Sequence, residues 1–234
     1  MDKEEALREL IKNRDESYKA FNDVIANCPD IPTLGVRVPK VRAVAARAGR
    51  EDPDTYFASV EVCREPMYLE EHMLWGMAIG YTKNRPAAWY QERLDRYVPG
   101  IASWGDCDCG TSTLKFMERD QELWFAYLEK WLKSSREFEL RFGIVALMDY
   151  YLKDEWIDQA LDYFCRPLSE AYYVRMAQAW ALSVAFVKYR EKTLERFQTG
   201  IKDAWVQNKA IQKCRESRRV SPQDKELLLG WKRR

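Results

Sequence analysis

Apolar side chains return every three or four residues almost from end to end of this chain, while the two-residue alternation of a half-buried strand is nearly absent. Ten glycines and nine prolines are all that interrupt the pattern, so the chain reads as all-α. The periodicity predicts helices at about 2–13, 15–27, 39–49, 53–63, 66–82, 86–98, 105–117, 119–133, 136–152, 155–165, 170–188, 190–198, 202–216 and 222–230. Pro39 and Pro66 are expected at helix starts, Asp52 as an N-cap with Pro53 in the first helical position, and Pro167 just past the helix that holds Phe164.

Helices of a few turns joined by short connections lie antiparallel to their neighbours, and a long series of them stacks into a superhelix. The expected architecture is therefore a single domain, 1–234, built as a HEAT-like helical-repeat solenoid whose concave face suits an elongated partner. The letters show no strict repeat, so this expectation rests on helix spacing, and a globular bundle is the alternative.

Composition narrows the setting. Hydrophobic residues make up 47% and charged residues 32%, the balance of a water-soluble globular protein. No apolar run approaches the roughly 20 residues that cross a bilayer, and the acidic start MDKEEALREL lacks a signal-peptide core, so a cytoplasmic protein with no membrane partner is expected. Cys28, Cys63, Cys107, Cys109, Cys165 and Cys214 read as free thiols in a reducing compartment. The Cys107-x-Cys109 pair is short of the four ligands zinc needs, because the lone histidine, His72, lies far off in sequence. The same scarcity argues against Ser-His-Asp or Cys-His catalysis, and His72, inside LEEHMLWGM, is expected to be structural.

Charge points away from a strongly basic surface: Lys and Arg total 38 against 37 acids, so any nucleic-acid surface must be a local patch. One candidate is the stretch with Lys209, Lys213, Arg215, Arg218 and Arg219, with Trp231-Lys232-Arg233-Arg234 after it; a solvated helix end has the same composition.

Three features carry candidate chemistry. In Ile101-Ala-Ser-Trp-Gly-Asp-Cys-Asp-Cys-Gly110, Trp104 and Asp108 share a face if both are helical; the bland alternative is that Asp106 or Asp108 caps the helix reaching Thr113–Met117 while Trp104 packs against it. Arg141 falls on the apolar stripe of Val145, Met148 and Leu152, where it either pairs with a carboxylate such as Glu137 or recognises phosphate through its planar fork. Trp180 sits among alanines on a helix apolar nearly all round, either as core or projecting.

Taken in order, Leu34-Gly-Val-Arg37-Val-Pro39, Tyr68-Leu-Glu-Glu71, Ser103-Trp104 with Asp108, the Arg141 helix, the Trp180 helix and Ser217-Arg-Arg-Val220 resemble the AlkD-type DNA alkylation-repair glycosylases over nearly the whole chain. The resemblance implies a HEAT-like solenoid gripping duplex DNA that carries alkylated bases. It makes Asp108 the catalytic aspartate, Trp104 and Trp180 the flanking tryptophans, and Arg141 the arginine holding the backbone near the lesion, with Tyr18 as a further aromatic of the cleft. Together with the basic stretches, the expected DNA contacts are Arg141, Arg37, Lys40, Lys209, Lys213, Arg218 and Arg219. Asp106, two residues from Asp108, competes for the catalytic assignment.

The implied chemistry suits these residue types. An N3- or N7-alkylated purine is already cationic and leaves without protonation, so no general acid, metal or organic cofactor is needed. An anionic Asp108 stabilises the oxocarbenium-like sugar and orients a water, and the tryptophan faces attract the cation by about 0.5–2 kcal/mol each. AlkD-type enzymes leave the lesion stacked, in contrast to base-flipping glycosylases. A monomer without lyase activity is expected. The alternatives are a noncatalytic member that binds DNA of unusual structure, and a protein-interaction scaffold.

Overall fold

The computed structural model describes residues 1–233, and among them every regular element is helical. Fourteen α-helices follow one another: α1 (Lys3–Lys12), α2 (Glu16–Ala26), α3 (Val38–Glu51), α4 (Pro53–Glu61), α5 (Leu69–Tyr81), α6 (Ala87–Tyr97), α7 (Trp104–Thr111), α8 (Gln121–Leu132), α9 (Glu137–Tyr150), α10 (Ile157–Cys165), α11 (Tyr172–Lys188), α12 (Arg190–Thr199), α13 (Ala204–Glu216) and α14 (Pro222–Leu229). The all-α reading is borne out, and each predicted helix has a counterpart.

Several starts follow from local chemistry. Asp52 accepts the Thr55 amide at 3.2 Å, with Pro53 opening α4, and Pro39 sits in the first turn of α3 where its missing N–H costs nothing. Pro66 does not open α5. The Glu71 carboxylate reaches back to the Tyr68 amide at 2.9 Å and sets the start at Leu69. The helix predicted to run to 117 stops at Thr111, because Thr111, Ser112 and Thr113 turn their hydroxyls onto the carbonyls of Cys107, Cys109 and Gly110, with a short 3-10 turn at Lys115–Glu118 beyond.

The chain forms two compact units, Met1–Tyr127 and the part from Leu128 onward. In the first, alternate helices pack in a row: α3 on α5 and α5 on α7, with α1, α4 and α6 against them. In the second, α9 packs on α11 and α11 on α13, with α10 and α12 against α11 and α14 against α13. This stacking of every second helix is the packing of helical repeats. Helices of both rows are buried nearly all round, as in Leu69–Ile79 of α5 and Leu140–Met148 of α9.

The turn before α3 is held by one carboxylate. Glu70, buried on α5, accepts the amides of Leu34, Gly35 and Val36 at 2.9, 2.8 and 3.1 Å. Gly35 has φ +77°, and a Cβ there would lie 2.4 Å from Lys19 Cβ, so the turn needs glycine. The segments Leu34–Pro39 and Tyr68–Glu71 are thus two halves of one contact. Glu70→Ala leaves three buried amides without their acceptor and is expected to lower the unfolding free energy by about 3 kcal/mol or more. An unchanged midpoint in urea denaturation would refute this account of the turn.

Candidate functional site

The eight residues of α7 carry the first candidate group. Ser103 caps the helix, its Oγ accepting the Asp106 amide at 3.1 Å. Neither Asp106 nor Asp108 is the cap: the helix starts one turn before either position would require, so Trp104 is its first residue and Asp108 lies one turn on, along the same face.

The two acids part company in their surroundings. Asp106 is only 1% exposed. Its Oδ1 accepts the Tyr97 hydroxyl at 2.8 Å, and its Oδ2 lies 2.7 Å from His72 Nδ1. Tyr97 enters between Gly76 of α5 and Gly110 of α7, where a Cβ would come within 2.3 and 2.5 Å of the phenol. Its ring stacks on His72 at 4.7 Å, and burial together with the Asp106 charge holds its hydroxyl well above the usual phenol range. His72 is therefore part of a structural lock. Asp108, two residues along, is half-buried.

On the Trp104 side, the half-buried indole donates from Nε1 to the Ile25 carbonyl at 2.9 Å, tying α7 to the end of α2. Phe21 and Val24 of α2 are exposed, and Tyr18 is half-buried with the Arg37 guanidinium 4.6 Å from its ring. Arg37 also grips Asp15 at 2.9 and 3.1 Å. The hydroxyl of Ser17, the Tyr18 amide and Arg37 bring the Asp15 carboxyl down to about 2. Lys40 is exposed on α3. Burial pushes the Cys109 thiol up to about 11, Arg42 opposes it and Asp108 adds to it, so this thiol stays protonated at neutral pH.

In the second unit Arg141 is buried on α9, along the stripe of Val145 and Met148, with buried Leu152 just past the helix end. Its Nη1 donates to the Tyr173 carbonyl at 2.8 Å, while Glu137 Oε1 accepts the Tyr173 amide at 2.7 Å. Both residues of α9 thus hold the first turn of α11. Trp180 is half-buried on α11 between buried Ala179 and Ala181. Within their own units, and among the described residues, neither the Trp104 nor the Trp180 ring meets another ring, whereas Trp75, Trp89, Trp124, Trp156 and Trp205 all do. Lys209 and Lys213 lie one turn apart on α13, with Lys209 Nζ 5.8 Å from the Trp205 ring. Arg218 and Arg219 are exposed between α13 and α14, and Arg234 lies outside the described residues.

A family model described as DNA alkylation repair enzyme matches residues 5–198. The chain belongs to the DNA alkylation repair enzyme family. No curated protein and no solved structure matches it. The match takes in Tyr18, Arg37, Lys40, Trp104, Asp108, Arg141 and Trp180, and stops short of Lys209, Lys213, Arg218 and Arg219. Family membership makes this a DNA repair enzyme and makes DNA its substrate.

Sequence reading missed one feature that bears on a repair enzyme. Arg42, Arg50, Lys83, Lys115 and Arg119 line a single cavity in the first unit, although they are scattered over α3, two loops and the 3-10 turn. No local run of basic residues marks them, and with Arg42 early in α3, Arg50 near its end and the other three outside the α-helices, no spacing in the sequence joins them.

Asp106→Ala removes the acceptor of a buried hydroxyl and is expected to cost about 2 kcal/mol or more of stability. Chemical denaturation followed by circular dichroism measures it, and wild-type stability in this variant would show that the lock with Tyr97 and His72 does not hold α7.

Proposed function

We propose that this repair enzyme is a monofunctional DNA glycosylase that hydrolyses the N-glycosidic bond of cationic N3- or N7-alkylated purines in duplex DNA. The observation that carries the reading is the division of labour on α7. Asp106 is held by Tyr97 and His72, while Asp108 shares a half-buried face with a tryptophan whose ring has no aromatic neighbour in its unit.

The reaction asks little of the protein beyond charge placement. The alkylated base is positively charged before the bond breaks and neutral after it leaves with the bonding electrons, so no acid need protonate it. Positive charge then develops on the sugar, where the Asp108 carboxylate stabilises it and orients the water that adds to C1′; the water's second proton passes to solvent. His72 takes no part, which accords with its contacts to Asp106 and Tyr97. The Trp104 face draws in the cationic nucleotide, and the family resemblance assigns Trp180 the same role and Arg141 a hold on the backbone near the lesion.

The lesion stays stacked in the duplex, and hydrolysis rather than lyase chemistry follows. A lyase needs a lysine with a depressed pKa, whereas the buried lysine of the first unit, Lys3, is held protonated, its desolvation outweighed by Glu71 at 3.3 Å. The enzyme acts as a monomer in the cytoplasm.

Release of 7-methylguanine and 3-methyladenine from methylated duplex DNA tests the reading. Asp108→Asn is expected to reduce release by about 100-fold or more while binding to undamaged duplex stays within a few-fold of wild type. Undiminished release would remove Asp108 from the mechanism, and no release from folded wild-type protein would leave a DNA-binding member without catalysis. Trp104→Ala should slow release by about 2- to 30-fold, the rate equivalent of one cation–π contact; an unaffected rate would deny the ring any part.

A further inference from the structure

A cavity of about 670 Å³ opens in the first unit where α3, α5 and α7 end. None of the residues that the resemblance assigns lines it. Five cations do, Arg42, Arg50, Lys83, Lys115 and Arg119, and no carboxylate joins them. Among the described residues none of the five is in an ion pair, although Arg14, Arg37, Arg47, Arg85, Arg93 and Arg96 of the same unit all are.

Helix ends attract cations, and that explains only part of the cluster. Three helix C-termini supply about half a negative charge each, roughly 1.5 charges in all, against five full positive charges. The remainder is a positive field with no internal counter-charge. Two of the cations are also held in place before any ligand arrives. Arg42 Nη1 donates to the Tyr81 hydroxyl at 3.2 Å and its Nη2 to Ser112 Oγ at 3.4 Å, while the Arg50 guanidinium lies 5.0 Å over the Tyr81 ring. Preplaced guanidinium forks with hydroxyls beside them suit the tetrahedral oxygens of a phosphate.

The cavity also adjoins the helix of the reaction. The Ser112 amide donates to the Asp108 carbonyl at 3.1 Å, so Ser112 stands four residues beyond Asp108, about 6 Å along the axis. A DNA strand advances about 3.4 Å per nucleotide, which puts a phosphate at this end of α7 one or two nucleotides from a sugar at Asp108. We propose that this cavity is a phosphate site and that it takes backbone phosphates of the DNA strand bound along α7. The assignment to DNA rests on the reading that α7 faces the strand.

The salt dependence of binding to undamaged duplex tests it, independently of any base release. Lys83→Gln combined with Lys115→Gln removes two cations that make no hydrogen bond among the described residues. Arg8→Gln with Arg64→Gln removes two exposed cations outside the cavity that, among the described residues, are likewise in no ion pair. The slope of log K against log salt is expected to fall in magnitude by about 1–2 for the cavity pair, near 0.9 per lost phosphate contact, and by less than half a unit for the control pair. An unaltered slope, or equal falls in both pairs, would overturn the proposal. So would saturable binding of inorganic phosphate that the cavity pair abolishes while the DNA slope stays put, since the ligand would then be a small free phosphate. Wild-type protein that releases no base yet shows the expected slopes would sink the glycosylase reading and leave this site standing.

Discussion

The buried carboxylate of Asp106 is the constraint around which the first unit's candidate site is built. A helix of eight residues has little hold of its own on its neighbours, and α7 is fixed in rotation by the Tyr97 hydroxyl and the His72 ring, which meet that carboxylate from outside the helix. Turning α7 would leave a buried acid and a buried phenol without partners, a penalty of several kcal/mol. Successive residues of a helix are about 100° apart, so fixing Asp106 inward directs Asp108, two positions on, to the far side with Trp104 one turn before it. The glycines at 76 and 110 make the lock possible, because only a missing side chain leaves room for the phenol.

The same device recurs away from α7. Glu70 holds the amides of the turn before α3, and Arg141 and Glu137 hold the carbonyl and amide of Tyr173 at the start of α11. In each case charged side chains, buried or half-buried, meet backbone groups where a segment enters a packed helix, and removing them leaves those groups unsatisfied. Arg141 therefore has a structural duty whatever it does toward DNA. Arg37 likewise holds Asp15 and covers Tyr18, so it orders the entry to α2 and α3.

Much of this was legible in the letters. Periodicity located each helix, and the Asp52-Pro53 start of α4 was readable because cap and capped amide are three residues apart. Errors came where a neighbouring hydroxyl or carboxylate intervened: Ser103 capped α7 in place of an acid, Thr111 to Thr113 ended it early, and Glu71 set the start of α5 beyond Pro66. The motifs at Leu34–Pro39 and Tyr68–Glu71 were noticed separately, but the carboxylate that joins them spans more than 30 positions and left no local trace.

The sequence by itself determined the helical class, most helix ends and the family, since these depend on interactions between residues a turn apart or on an ordered set of motifs. Only the tertiary structure decided which of two like acids on α7 is locked inside, because the deciding partner, His72, stands 34 residues away and reaches Asp106 through the packing of α5 on α7. The gathering of cations from Arg42 to Arg119 was decided in the same way. Charge acts through space, and only the packing of helices α3, α5 and α7 side by side brings those residues within reach of one ligand.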